Sequence, residues 1–219
     1  MLNRRSSISL MDIKGGKQFA LIEYYGSLSS TNDRIKELMR QLHPPLPCLV
    51  IAKTQTAGRG RAGKLWWSGS GALLMSLGFE LTAETLLRSD LPELSLKTAE
   101  AVKTVLCRRI TPECRVAVHP PNDVYADGKK ICGILLESPS PKYGIIGIGL
   151  NVNNRLADIP PEFRKELMQR SITSLCGILG KADSIETLID EIVAELNIRL
   201  FKEKVRADAA AEHRRTGVF

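Results

Sequence analysis

An α+β fold, a mixed and largely antiparallel sheet covered by helices, is what this sequence predicts, on three observations. Strand-like segments outnumber those with helical spacing. The turn signals join neighbouring strands mostly as hairpins, and no regular strand-helix-strand alternation runs through the chain. A chain of 219 residues, 43% of them hydrophobic, can bury one full core. Residues 19–205 are expected to form that domain, between a loose leader at 1–18 and a basic tail at 206–219.

Taken in order, FALIEYYG from Phe19 has the β-branched and aromatic character of a strand. Ser29, Ser30, Thr31 and Asn32 then precede Ile35, Leu38, Met39 and Leu42 at helical spacing, which places the hydroxyl cluster at a helix N-terminus, and HPPLP ends that helix. CLVIAKT is a short strand, the glycine-rich segment 58–71 a loop, and ALLMSLGFEL another strand. Ser95 is expected to cap a helix whose apolar face runs Leu96, Ala99, Val102, Val105 and Leu106. RVAV leads into a hairpin, DVYADGKKICGILLES, whose Asp127-Gly128 supplies the positive φ angles of a tight turn. KYGIIGIGLNVN reads as a strand buried on both faces. Ile185, Leu188, Ile189, Ile192, Val193 and Leu196 mark a long amphipathic helix ending near Phe201.

Composition narrows the function classes. Five cysteines, odd in number and without a CxxC pair, suggest neither a disulfide framework nor a zinc site, and read as thiols in a reducing cytoplasm. No apolar run reaches the roughly 18 residues of a membrane span, which disfavours insertion and, with the short interrupted apolar stretch at the N-terminus, secretion. A net charge of +7 attracts anions without choosing among them. Part of the surplus, Lys202, Lys204, Arg206, Arg214 and Arg215, follows the last helical pattern and reads as a solvated end. The basic residues lack interleaved aromatics, so a specific nucleic-acid interface is not expected.

Gly58-Arg59-Gly60-Arg61-Ala62-Gly63 fits G-x-G-x-x-G after a strand, but KLWWSGSG and another strand follow where a dinucleotide loop must open into a helix. There is no GxxxxGK[ST] either. What remains is a glycine loop carrying Arg59 and Arg61, with Lys64 behind, suited to wrapping a densely charged anion. A solvated surface loop is the alternative.

Four segments in order, SSTND (29–33), QTAGRGRAGKLW (55–66), PNDVYADGKKICGILLE (121–137) and GIGLNVN (147–153), resemble the biotin protein ligase catalytic domain over roughly residues 20–200. The resemblance implies a fold related to class II aminoacyl-tRNA synthetases and a two-step reaction. Biotin and ATP, with Mg²⁺ on the nucleotide, give biotinyl-5'-AMP, which acylates a lysine of the biotin carboxyl carrier domain of acetyl-CoA carboxylase or a related carboxylase. Carried over by motif, Ser30, Thr31, Asn32, Gln55, Arg59, Gly60, Arg61, Lys130 and Gly133 would bind biotin. Arg61, Trp66, His119, Asn122, Asp123, Lys130 and Asn151 would bind ATP, and Lys130, Arg59 and Arg61 would be catalytic, with no resident metal. Lys130 matches the family's essential lysine, a cation that draws carboxylate and phosphate together. Lys129 is then its solvent-facing neighbour, because successive strand residues point to opposite faces.

The chain departs from the pattern at His119-Pro120-Pro121, where the family usually reads Lys-Trp-Pro. It is also expected to lack an N-terminal helix-turn-helix and the small C-terminal β-barrel. The expected partner is the carrier domain, with no nucleic acid and no membrane, a cytoplasmic location, and a homodimer left open. Two alternatives stand beside the ligase: a catalytically weakened or silent biotin-binding protein or sensor, motivated by His119, and a lipoate-type ligase on the same fold.

Overall fold

The period-2 segments assemble into one seven-stranded sheet in the computed structural model, which describes residues 19–41, 43–81, 91–161, 163–164 and 171–201. The leader, Leu42 and the basic tail, with Lys202, Lys204, Arg206, Arg214 and Arg215, lie outside the described residues. The strands are β1 (Leu21–Leu28), β2 (Cys48–Gln55), β3 (Leu73–Glu80), β4 (Val116–His119), β5 (Asp123–Ala126), β6 (Lys129–Ser140) and β7 (Tyr143–Leu150). They lie in the order β1-β2-β3-β7-β6-β5-β4. Only β1 and β2 are parallel, because helix α1 (Thr31–Met39) crosses between them. Every other pair is antiparallel, as the hairpin signals require. Three further α-helices are described, α2 (Leu91–Cys107), α3 (Leu175–Leu179) and α4 (Ile185–Leu196), the last continued by a π-helical turn at Asn197–Phe201. None is long and apolar enough to cross a membrane.

The two faces of the sheet bury different partners. Leu73, Met75, Leu77 and Phe79 of β3 and Ile146, Ile148 and Leu150 of β7 enter one large core with α2 and α4. Each such side chain contributes about 1.5–3 kcal/mol by leaving water. On the opposite face Ile35, Leu38 and Met39 of α1 pack on Cys48, Val50 and Ile145.

Two expectations are corrected here. Helix α2 is described from Leu91, so Ser95 lies inside it, buried, and is not its N-cap. Ala99, Val102, Val105 and Leu106 are buried as expected, joined by Leu94 and Ala101, while Leu96 is only half-buried. The hairpin turn is as expected, with φ of 47° at Asp127 and 70° at Gly128. The strand after it does not alternate simply. Tyr125 pairs with Lys130 but Val124 with Cys132, so Ile131 is the extra residue of a β-bulge. Ile131 and Cys132 therefore both enter the core, and the alternation beyond them is shifted by one.

Arg109, in the turn just after α2, ties the end of that helix to α4. Its Nε donates to Asp183 Oδ2 (2.7 Å), and Nη1 and Nη2 donate to the two Glu191 oxygens (2.7 and 2.8 Å). Arg108 pairs beside it with Glu195. The Arg109 side chain is only 13% exposed, so removing it leaves two carboxylates facing each other. Arg109→Ala is expected to lower unfolding free energy by about 2 kcal/mol in urea titrations; a loss under about 0.5 kcal/mol, the range of an exposed pair, would contradict the clamp.

Candidate functional site

The face of the sheet that carries α1 is bare where β6 and β7 meet. In β7 the sequence Ile146-Gly147-Ile148-Gly149-Leu150 sends its large side chains into the core and leaves glycine on the other side. Gly133 of β6 pairs with Gly149 and extends the strip. A cavity of about 570 Å³ lies over it. Side chains from elsewhere fill the space a Cβ would need: one on Gly149 would stand 2.5 Å from Trp66 Cε2, and one on Gly147 would meet Asn32 Oδ1.

A neutral polar cluster borders the cavity. Ser30 is the N-cap of α1 yet makes no side-chain capping bond, so the hydroxyl cluster serves something besides the helix end. The Thr31 N–H donates to Gln55 Oε1 (2.8 Å), which also takes the Thr31 hydroxyl (3.1 Å), while Gln55 Nε2 donates to Ser68 Oγ (3.1 Å). Beneath them the fully buried Ser76 hydroxyl lies 2.7 Å from Thr31 Oγ1 and 2.5 Å from Asn32 Oδ1. It has one proton for two acceptors. When that proton goes to Asn32, the Thr31 hydroxyl can turn to donate to Ser76, and the chain of donors is satisfied.

The glycine loop is a small hairpin. Arg59 bridges Leu65, Gly60 N–H donates to Lys64 O (2.7 Å) and Trp66 N–H to Gly58 O (3.1 Å). Its turn places Ala62 at φ 54° and Gly63 at 70°, and a residue with a Cβ in that region costs about 1–2 kcal/mol. Arg59 grips Asp33 with both Nη atoms (2.7 and 2.6 Å), and Nη2 reaches Glu137 (3.3 and 3.4 Å). Glu137 also accepts from Asn32 Nδ2 (2.7 Å) and Lys36 Nζ (2.9 Å). Hydrogen bonding from Arg59 holds Asp33 below the usual carboxylate range. Burial pushes Glu137 up, but Lys36, Asn32 and Arg59 together outweigh it and keep it low.

Across the cavity Lys130 Nζ sits 2.6 Å from Asp123 Oδ2 and 5.7 Å from the centre of a Trp66 ring. The bulge after Lys130 puts it on the face of Gly133 and Leu135, and Lys129 is exposed. The Lys130 backbone is fixed from outside the hairpin: its N–H donates to Ser171 O (2.8 Å) and its carbonyl accepts from Thr173 N–H (2.9 Å). Asn122 Nδ2 donates to Ile134 O (2.9 Å), and its Oδ1 accepts from Arg61 (3.2 Å). The cavity therefore joins neutral donors and acceptors to several cations, the equipment for a ligand with a polar uncharged head and an anionic reacting end.

Of the residues expected from sequence, Ser30, Thr31, Asn32, Gln55, Arg59, Gly60, Arg61, Trp66, Asn122, Asp123, Lys130 and Gly133 all line this cavity. Two do not. His119 is exposed outside the lining, its ring stacked on Tyr125 with centroids 4.0 Å apart, and Tyr125 is the side chain that faces the cavity. Asn151 is buried beyond the end of β7; its Nδ2 donates to Thr173 O (3.0 Å) and its Oδ1 accepts from Asn154 Nδ2 (2.9 Å). Sequence reasoning missed Ser76, Asp33, Glu137 and Gly147. Only Gly147 left a local signal, the Ile-Gly-Ile-Gly alternation.

Comparison with known proteins follows the same lines. The model of the biotin/lipoate A/B protein ligase family matches residues 24–151. The Bifunctional ligase/repressor BirA of Bacillus subtilis is 36% identical over 151 residues, 64% of this chain and 43% of its own length. This chain thus spans less than half of that relative. Among solved structures, the biotin protein ligase from Aquifex aeolicus in complex with biotin and ATP superposes with a TM-score of 0.68 at 30% identity, covering 84% of this chain and 72% of that one. The biotin protein ligase from Leishmania major in complex with biotinyl-5-AMP gives 0.64 at 28% identity, covering 80% and 72%. The mixed sheet is the fold of these ligases.

The bare strip sets a direct test. In a Trp67→Phe background, Gly149→Ala should lift the Trp66 indole off the sheet and shift its fluorescence to the red, with the fold retained by circular dichroism. Unchanged emission would show that the indole does not depend on the missing Cβ.

Proposed function

Because this chain belongs to the biotin/lipoate A/B protein ligase family, we propose that it activates biotin with ATP to biotinyl-5'-AMP and transfers the biotinyl group to a lysine of a biotin carboxyl carrier domain. The carrier is that of acetyl-CoA carboxylase or a related carboxylase. The observation that carries this reading is the meeting of Thr31, Gln55 and Asn32, with Ser76 buried beneath them, and Lys130 in one cavity walled by Trp66 and the glycine strip.

Biotin's ureido head needs donors and acceptors set together in an otherwise enclosed pocket, which the hydroxyl and amide cluster supplies. In the first step a biotin carboxylate oxygen attacks the α-phosphorus of ATP, the bond to the bridging oxygen breaks, and pyrophosphate leaves. Two anions must approach, so a cation between them lowers the barrier; Lys130 would supply it, and turning from Asp123 to the ligand would free its charge. Arg61 and Lys64, both exposed on the hairpin, add positive charge for the phosphates. In the second step the carrier lysine's amine attacks the acyl carbon, AMP departs with the bonding pair, and the amine loses a proton. Covering the mixed anhydride from water is the task of the hairpin.

Mg²⁺ would enter on the nucleotide. Among the described residues no group of three His, Cys, Asp or Glu is placed to hold a metal ion. Asp123, the single carboxylate in the cavity lining, can only supplement phosphate oxygens. The ion would neutralise phosphate charge.

Incubation with biotin and labelled ATP should release pyrophosphate and yield biotinyl-5'-AMP; binding of biotin without either product would instead establish a silent binder. Lys130→Ala should slow adenylation by about 100-fold or more, while Lys129→Ala stays within about twofold. Equal losses in the two would remove Lys130 from its role. Ser76→Ala leaves Asn32 Oδ1 without its buried donor and should raise the KM for biotin about tenfold with kcat little changed. A KM that does not move would show that the hydroxyl orders nothing the ligand uses.

A further inference from the structure

The two arginines of the hairpin are held differently. Arg59 makes a two-pronged bond to Asp33 and a longer contact with Glu137, and its side chain is 27% exposed. Arg61 is exposed, and among the described residues it donates only to Asn122 Oδ1 at 3.2 Å. Around Arg59 the charges cancel: Asp33 and Glu137 face Arg59 and Lys36, with Lys36 Nζ 3.5 Å from Asp33 and 2.9 Å from Glu137. A guanidinium whose fork already fits a carboxylate has no strong reason to exchange it for a phosphate. Beside Arg61 and Lys64, by contrast, the structure sets no carboxylate of comparable closeness among the described residues.

We infer that Asp33 and Glu137 are positioning residues that commit the Arg59 side chain to the protein, so that the hairpin's arginines divide their work: Arg59 anchors the loop to α1 and β6, and Arg61 meets the phosphate. This rests on the proposed adenylation and assigns Arg59 a positioning role in it. The anchor also reaches the biotin cluster, because Glu137 takes the Asn32 amide with one oxygen and Lys36 with the other. Loosening Asp33 or Arg59 therefore disturbs two things at once, the seat of the hairpin and the orientation of Asn32. Both act on biotin's end of the cavity.

The test is a double-mutant cycle of Asp33→Asn and Arg59→Ala in the full chain, read as KM for biotin, KM for ATP and kcat, with Arg61→Ala alongside. Residues that form one interaction lose it once. Each single variant should raise the biotin KM about fivefold to tenfold, the double variant should be no worse than either, and the ATP KM should stay within about twofold. Arg59→Lys should lose as much as Arg59→Ala, since an ammonium cannot make the fork. Arg61→Ala should raise the ATP KM about tenfold. Additive losses, rescue by lysine, or an ATP KM raised by Arg59→Ala alone would overturn the division. A readout free of activity separates this from the proposed function: trypsin cleavage after Arg61 and Lys64, without ligand, should quicken equally in Asp33→Asn and Arg59→Ala. If the parent makes no adenylate but cleavage behaves so, the anchor stands and the reaction falls; unchanged cleavage in both variants overturns the anchor.

Discussion

The site depends on a missing row of side chains. Strand β7 alternates isoleucine with glycine, so the same residues that seal the main core leave a bare strip of backbone on the opposite face. Sheets ordinarily cover both faces with side chains, as this one does where α1 packs on Cys48, Val50 and Ile145. Over the strip Trp66 and Asn32 descend into the space instead, and the cavity forms between them. Shape is thus set by absence, and the polar groups around it are arranged with respect to a flat floor.

A second constraint fixes Lys130. In a regular strand Lys130 would share its face with Cys132, which is wholly buried in the core. The bulge at Ile131 breaks that relation and brings Lys130 round to the face of Gly133, while Ser171 and Thr173 hold its backbone from outside the hairpin. Bulges commonly re-aim a side chain in this way. Lysine has four rotatable bonds, and fixing its Cα and its partner Asp123 removes part of the entropy that a reaction would otherwise have to overcome.

What the sequence made legible follows from the range of the interactions involved. Strand alternation, the positive φ turn at Asp127-Gly128 and the amphipathic helix α4 are local, and each was readable in its own segment. The start of α2 was misread because a buried serine inside a helix looks like a cap until its packing is known. The four motif segments named most of the cavity's lining. Ser76 lies outside those segments, and Asp33 and Glu137 lie within them without an assigned role, because their meaning rests on partners far along the chain, such as Asn32 and Glu137, 105 residues apart. His119 was expected in the cavity by its place in a motif, yet it sits on the edge strand β4, exposed outside the lining, with its ring stacked on Tyr125, which lines the cavity in its place.

The same geometry accounts for how a chain with a large positive charge can keep an ordered anion site. Cations crowded round an empty cavity repel one another, and the repulsion is strongest where water is scarce. In this molecule the two innermost cations have carboxylate partners, Arg59 with Asp33 and Lys130 with Asp123. Of these pairs the fork on Arg59 is bidentate and the single contact on Lys130 is not, so an arriving anion can draw Lys130 away at lower cost than Arg59. The cavity holds its shape through one pair and makes its charge available through the other, and the exposed Arg61 supplies what neither pair can give.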